Sequence, residues 1–425
     1  MSASSHHALT PARERATLLT LAAVQFTHIL DFMIMMPLGA QLMDVFAISP
    51  AQFTRLVASY GFAAAISGFA GGFLLDRFDR KRSLVVLYAG FGLATLACAL
   101  APTHHALMGA RLAAGAFGGL AASMVTAMVG DIIPPTRRGR AMSYVVVAFP
   151  LASVMGVPLG LVLAGLFGWH APFFMLAACA ALVLPLAAVA LPPIRTAVHD
   201  HQPLKQMREI VSHGVHLRAF AVGAILVTGG GVLIPFIAPS FIANVGLDEK
   251  LELPIVYMVG GLATAMTTPF VGWLSDRMDR FKLLVIMSAG AIVVVLIITR
   301  LGPHSVVGAS IIMAFFMIFM SGRFSPTMTM VTNAVEARYR GGFMSVNSAL
   351  QQAASAGSNV LAGFFVTKTA AGQFAGLPML GYVSIGLFAL TVVFAAQLRA
   401  AAPHVSAPAA REPVAPPAPG PEAAV

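Results

Sequence analysis

The sequence predicts an all-α membrane protein of twelve transmembrane helices in two pseudo-symmetric six-helix bundles. Three observations lead there. Of 425 residues, 58% are hydrophobic and only 10% charged, with a mean hydropathy of +0.85. A soluble domain carries about 25% charged residues, so a surface this apolar belongs against lipid. Apolar runs close to the ~20 residues that cross a bilayer recur along the whole chain. The second half also repeats the first: GFLLDRFDRKR at 72–82 returns as GWLSDRMDRFK at 272–282, an offset of 200.

In chain order, a polar segment 1–16 precedes spans expected at 17–42, 53–75, 83–102, 106–130, 141–167 and 171–192. The run after residue 16 is long enough to span and stay, so no cleaved leader is expected. The only long polar interruption, 193–216, divides the spans six and six, and its mixture of Lys, Arg, Leu and Ile suits a short helix on the membrane surface. Spans follow at 217–243, 252–274, 283–301, 305–331, 342–367 and 377–398. The bundles are therefore 17–192 and 217–399, and the Ala- and Pro-rich tail 400–425 is expected to be disordered. Gly229, Gly230, Gly231, Pro235 and Pro239 predict a bent or broken seventh span.

Lys and Arg cluster in alternate connections, including Arg80, Lys81, Arg137, Arg138, Arg280 and Lys282. That bias marks one side as cytoplasmic, with both termini on it, and implies a multi-pass inner-membrane protein. The clusters are short and lie between apolar runs, so the net charge of +10 does not read as a nucleic-acid surface. Cys98 and Cys179 lie inside apolar runs and read as packing residues, not as a disulfide or metal site. No nucleotide loop, zinc spacing or catalytic triad is evident, so an enzyme is not expected.

The repeated loop carries a resemblance. Gly72, Asp76, Arg77, Arg80 and Lys81 fit G-x-x-x-D-R-x-G-R-[RK], a signature of the major facilitator superfamily, and Gly272, Asp276, Arg277 and Arg280 fit it again. Asp79 and Asp279 stand where the second glycine is usual. Arg111 with Gly115 and Gly119 resembles the superfamily's span-four arginine motif. Asp31 with Pro37 resembles the first-span motif of twelve-helix drug:proton antiporters, and bacterial sugar-efflux-like members share these features. Gly156, Pro158 and Gly160 resemble the antiporter motif of span five, with Val157 where Gly is usual.

The resemblance implies the major facilitator fold, alternating access between two rocking bundles, an ion gradient as energy source, no cofactor, and a monomer. It also implies a latch between bundles. Asp76 would face Gly341–Gly342 and Asp276 would face Gly139, with Arg80 pairing Asp131 and Arg280 pairing Glu336.

Asp31 is the only acidic residue near the middle of any span. Intramembrane carboxylates face cavities or partners. His28 and Gln25 follow at one-turn intervals on the same face, and the superfamily places span four, with Arg111, beside span one. Burial favours the neutral acid and a guanidinium the carboxylate, so rocking could load and release a proton at Asp31, assisted by Arg111 and His28. The competing reading is a fixed salt bridge. Asn347, Gln351, Ser355 and Asn359 make a polar stripe on span eleven that lines the substrate path or bonds the bundles together. Arg323 in span ten, at a place loosely comparable to Arg111, could meet an anionic substrate group or a structural carboxylate, and Phe32 is a further lining candidate.

The leading expectation is a proton-coupled exporter of a small organic molecule, working by antiport. The alternatives are a metabolite or sugar uptake carrier of the same superfamily, by symport or facilitated diffusion, and a transporter-shaped sensor without flux.

Overall fold

A computed structural model describes residues 10–74, 78–134, 137–193, 203–336 and 339–407. The N-terminal half holds α1 (Pro11–Ile34), α2 (Gly39–Val45), α3 (Pro50–Leu74), α4 (Arg80–Ala99), α5 (His104–Ile132), α6 (Arg138–Val146), α7 (Ala148–Leu151), α8 (Val157–Phe167) and α9 (Ala171–Ala190). After α10 (Pro203–Ser212) the C-terminal half holds α11 (Gly214–Gly231), α12 (Ile234–Ser240), α13 (Glu252–Arg277), α14 (Arg280–Ile298), α15 (Val306–Asn333), α16 (Arg340–Gly363) and α17 (Leu377–Ala401). A two-residue hairpin, β1 (Thr367–Lys368) and β2 (Phe374–Ala375), joins the last two helices.

Ten segments of the described chain are long and apolar enough to cross a membrane. Two further helices of 25 and 24 residues, α3 and α16, complete a set of twelve. They lie against each other across the interface of the two halves. Turned to protein, α16 can carry Asn347, Gln351, Ser355 and Asn359 at little cost.

Local chemistry accounts for the ends and breaks. Thr10, Thr103 and Ser305 cap α1, α5 and α15 by accepting from backbone N–H groups. Asp79 and Asp279 do the same for α4 and α14, accepting from Arg82 N at 2.8 Å and Lys282 N at 2.9 Å. The unusual aspartates of the repeated loop are therefore helix caps. The fifth span is interrupted by a π turn at Ala152–Gly156 just before Pro158, and the seventh by a break at Val232–Leu233 and a π turn at Phe241–Val245 after Pro239. Proline has no N–H to donate, which unsettles the regular ladder at both places.

One expectation needs correction. Residues 400–407 are folded: α17 runs to Ala401, a short turn at Pro403–Ser406 follows, and Val405 and Ser406 are buried. Residues 408–425 lie outside the described residues. The linker does hold a short helix, α10, which packs on α11 and α16, with Glu209 accepting from the Tyr339 hydroxyl at 3.0 Å.

The halves meet through α3 with α16, through α13 with α7, the π turn and α8, and through α2 with α12. The close approaches lie at the middle of the spans or toward the end holding α2 and the hairpin. A Cβ at Gly61 would meet Ala356 at 3.0 Å and one at Gly261 would meet the Ser153 carbonyl at 2.6 Å. Lys368 Nζ reaches Asp44 Oδ1 at 2.6 Å across the halves. The halves are thus joined at the loop end.

Candidate functional site

The interior of the N-terminal half is built around one ion pair. Arg111 Nη1 donates to Asp31 Oδ2 at 2.7 Å and to the Asp31 carbonyl at 3.2 Å, and both side chains are fully buried. Thr95 of α4 donates to Asp31 Oδ1 at 3.4 Å. The guanidinium lies over the Tyr60 ring of α3, 4.4 Å from its centroid. Four helices therefore place this site: α1 brings the carboxylate, α5 the cation, α4 a hydroxyl and α3 a π face.

The sequence permits this crowding through small residues on α5. Gly115, Gly118 and Gly119 sit one and two turns from Arg111 on its face. At Gly115 a Cβ would overlap the backbone carbonyl of Tyr60, and at Gly119 it would stand 2.8 Å from the Ala64 backbone. At Gly118 it would stand 2.7 Å from both the Tyr60 hydroxyl and the His28 ring. The glycines of the span-four motif are thus close-approach residues for α3, and Gly118 makes the space in which His28 and Tyr60 meet.

Several polar atoms around the pair are buried without a hydrogen-bond partner: Gln25 Oε1, both His28 ring nitrogens, the Tyr60 hydroxyl, and Arg111 Nε and Nη2. A folded core seldom leaves so many polar atoms unmatched in one place. Tyr60 was missed by sequence reasoning, because only the α3–α5 contact brings it here; the Arg111–Gly115–Gly119 spacing was the available signal. Phe32 packs beside it, with ring centroids 5.8 Å apart.

The stripe on α16 divides. Asn347 and Asn359 are buried, while Gln351 and Ser355 are half-buried. Asn347 Oδ1 and Gln351 Nε2 face Gly223 of α11, and Gln351 donates to Met328 Sδ of α15 at 3.4 Å. These two side chains point into their own bundle. Both polar atoms of the Asn359 side chain are buried without a partner.

Arg323 is not the counterpart of Arg111. Arg111 is the eighth residue of α5, whereas Arg323 is the eighteenth of α15, roughly 15 Å further along at 1.5 Å per residue. Its neighbours are Met320 Sδ, 3.9 Å from Nη1, and the Phe388 ring of α17, 3.7 Å from the guanidinium carbon.

At the basic end, Arg80 Nε pairs with Asp131 Oδ2 at 3.1 Å. Arg280 does not pair with Glu336; it donates to the carbonyl of Ala407, because the folded 402–407 segment covers it. Asp279 takes Arg399 at 3.0 Å. Asp276 and Arg277 are exposed, and Arg277 stacks over Trp273 at 4.0 Å. Among the described residues Asp276 makes no hydrogen bond or ion pair, and the side-chain surroundings of Gly139 lie outside the described residues. Asp76 and Arg77 lie outside the described residues, and of the side-chain surroundings at Gly72 nothing is described. Gly156 and Gly160 pack on α1, where their Cβ atoms would meet Leu30 at 2.7 Å and Ile34 at 2.5 Å; Pro158 is buried beside them.

Two halves of membrane-spanning helices around a buried charge pair define a polytopic membrane carrier. The Major Facilitator Superfamily model matches residues 21–359, and the chain belongs to that superfamily, whose members are transporters rather than enzymes. Among relatives, an uncharacterized MFS-type transporter, YceJ, of Bacillus subtilis (strain 168) is 26% identical over 352 residues, 82% of this chain and 88% of that protein. A probable sugar efflux transporter of Mannheimia succiniciproducens is 21% identical over 362 residues, 83% and 85% of the two chains. The fold is similar to a bacterial homologue of the human lysosomal transporter Spinster, in an inward-facing and occupied conformation, with TM-score 0.76, 16% identity, and 94% and 99% of the chains covered. It is also similar to a D-xylose-proton symporter, with TM-score 0.73, 16% identity, and 91% and 97% covered.

Proposed function

We propose that the chain is a proton-coupled exporter of small organic molecules, working by antiport, with Asp31 as the proton-carrying group. The observation that carries this reading is the fully buried Asp31–Arg111 pair amid unmatched polar atoms of His28, Tyr60 and Gln25. A carboxylate with one buried cationic partner has two states that a moving bundle can exchange. Ionised, it is held by Arg111 and Thr95. Protonated, it is neutral and leaves Arg111 free to turn elsewhere. A cationic substrate group that binds the carboxylate must displace that proton, which gives exchange without further parts.

The basic bias supports a cytoplasmic position for the end opposite the loop-end contacts. On that assignment the loop-end contacts, among them Asp44–Lys368, close the carrier on the other side. The similarity to a probable sugar efflux transporter supports export, and the likeness to a D-xylose-proton symporter supports proton coupling on this fold.

The test is a screen of small organic molecules in proteoliposomes with an imposed pH gradient. At least one should accumulate against its own gradient, driven by protons. Asp31→Asn should abolish that accumulation while counterflow exchange persists, and should flatten the pH dependence. Accumulation surviving in Asp31→Asn would remove Asp31 from the coupling role.

A further inference from the structure

Among the described residues no counter-charge reaches Arg323. Only 1% exposed, it lies ten residues from the basic end of α15, about 15 Å inside by helix rise. Its Nε and Nη2 have no hydrogen-bond partner, and among the described residues no carboxylate pairs with it. The C-terminal half has no carboxylate to offer. Its acids are Asp248, Glu249 and Glu252 at the loop end, and Asp276, Asp279 and Glu336 at the basic end. Glu336, the nearest along the chain, lies thirteen residues on, about 20 Å in helix rise. The remaining intramembrane carboxylate, Asp31, is held by Arg111 in the other half.

The groups that do touch Arg323 are soft and apolar. The Phe388 ring and Met320 sulfur orient the guanidinium without neutralising it. Met320 in turn rests on Gly230 of α11, where a Cβ would meet only its sulfur, at 3.7 Å. The helix breaks just beyond, at Val232–Leu233. A flexible thioether thus lies between Nη1 of the guanidinium and the glycine face of a broken helix. The unpartnered Nε and Nη2 form a fork whose geometry matches the two oxygens of a carboxylate.

We propose that Arg323 binds the carboxylate of the transported molecule, and that this molecule joins an anionic group to an apolar or aromatic body. The proposal rests on the transport reading above and narrows its substrate class. In a zwitterion the amine could face Asp31 in the opposite half while the carboxylate faces Arg323, so a single molecule would engage both bundles. A simple organic anion would use Arg323 alone.

The experiment uses the purified full-length chain and four matched probes: 3-phenylpropionate, its amide, phenylalanine and phenethylamine. Binding is read as a ligand-dependent shift in melting temperature. The expected result is saturable stabilisation by 3-phenylpropionate, by phenylalanine, or by both, and none by the amide or phenethylamine. The first alone identifies a simple anion, the second alone a zwitterion. Arg323→Gln should weaken carboxylate binding at least tenfold, and Arg323→Lys should weaken it less. Because the unliganded protein buries this charge uncompensated, Arg323→Gln without ligand should melt higher than the parent. Equal shifts from the carboxylates and the amide, or no shift from any carboxylate, would overturn the proposal. So would unchanged carboxylate binding in Arg323→Gln. A lower melting point or failure to fold in that variant would also overturn it, by assigning Arg323 a structural role. Binding without proton-driven flux would count instead against the coupling reading.

Discussion

Removing one charge from the Asp31–Arg111 pair should be far more damaging than removing both. At the observed 2.7 Å, two unit charges in an effective dielectric of 20 attract by about 6 kcal/mol. Desolvating each ion costs several kcal/mol, so the pair nearly cancels against apolar substitutes. Asp31→Asn keeps the size and an acceptor for Thr95 but leaves Arg111 charged at zero exposure; the expected loss is about 3–5 kcal/mol of stability. Arg111→Met strands the carboxylate instead and should cost a similar amount. The double variant Asp31→Asn/Arg111→Met should recover to within about 1 kcal/mol of the parent, because no lone charge remains. The assay is reversible unfolding in mixed micelles for all four proteins, together with gradient-driven uptake in liposomes. The stable double variant should fail to accumulate substrate, which separates coupling from mere helix fastening. If the two single losses simply add in the double variant, the pair is not energetically coupled. If the double variant still pumps, the proton is carried elsewhere.

Four further outcomes are expected. Gly115→Ala drives a methyl into the Tyr60 carbonyl and should cost about 1–3 kcal/mol or more, whereas Gly109→Ala, with nothing within 4 Å, should melt no lower than the parent. Burial, and then Asp44 and Asp248, push the Glu249 carboxyl above its ordinary 4.5, against the Gln41 hydrogen bond and Lys250. Glu249's contribution to the loop-end contact should therefore be fully present below pH 4.5 and be lost as pH rises through the raised value; Glu249→Gln should remove that part of the pH dependence, read as the spin-label distance between positions 49 and 371. Reporter fusions at residue 205 and at the C-terminus should both read cytoplasmic, and a periplasmic readout at either would undo the orientation. Asp76→Asn should reduce flux strongly with insertion intact and Asp276→Asn more mildly; equal, near-normal flux in both would remove the latch.

Much of the fold was legible because lipid imposes one simple demand on length and polarity. The apolar runs located most helices to within a few residues, and the Gly and Pro cluster of the seventh span located its break; the π turn of the fifth span was not foreseen. Asp31 stood out by its depth alone, and the superfamily's helix order brought Arg111 to it. What stayed hidden depends on contacts between distant segments. Tyr60 looked like one aromatic among many until α5's glycines drew α3 against Arg111. Asp79 and Asp279 looked like departures from a glycine motif, but the capping role was readable from an Asp standing immediately before a helical run. The Arg280–Glu336 pairing failed because a tail read as disordered folds back over Arg280. Arg323 was misplaced because matching residue types in matching helices does not fix register, and ten residues along a helix is nearly three turns.

The pairing of α3 with α16 has a consequence for biosynthesis. Each of these helices finds a main interface in the other half. The end of α16 emerges roughly 290 residues after the end of α3, a delay of about 15–60 s at ribosomal rates of 5–20 residues per second. During that interval α3 has only its own bundle, chiefly α5, to pack against, and the face that α16 will cover meets lipid. A quality-control protease that recognises unassembled membrane helices would therefore find α3 exposed in every chain arrested before its second half, and a ribosomal pause late in α15 would extend that exposure.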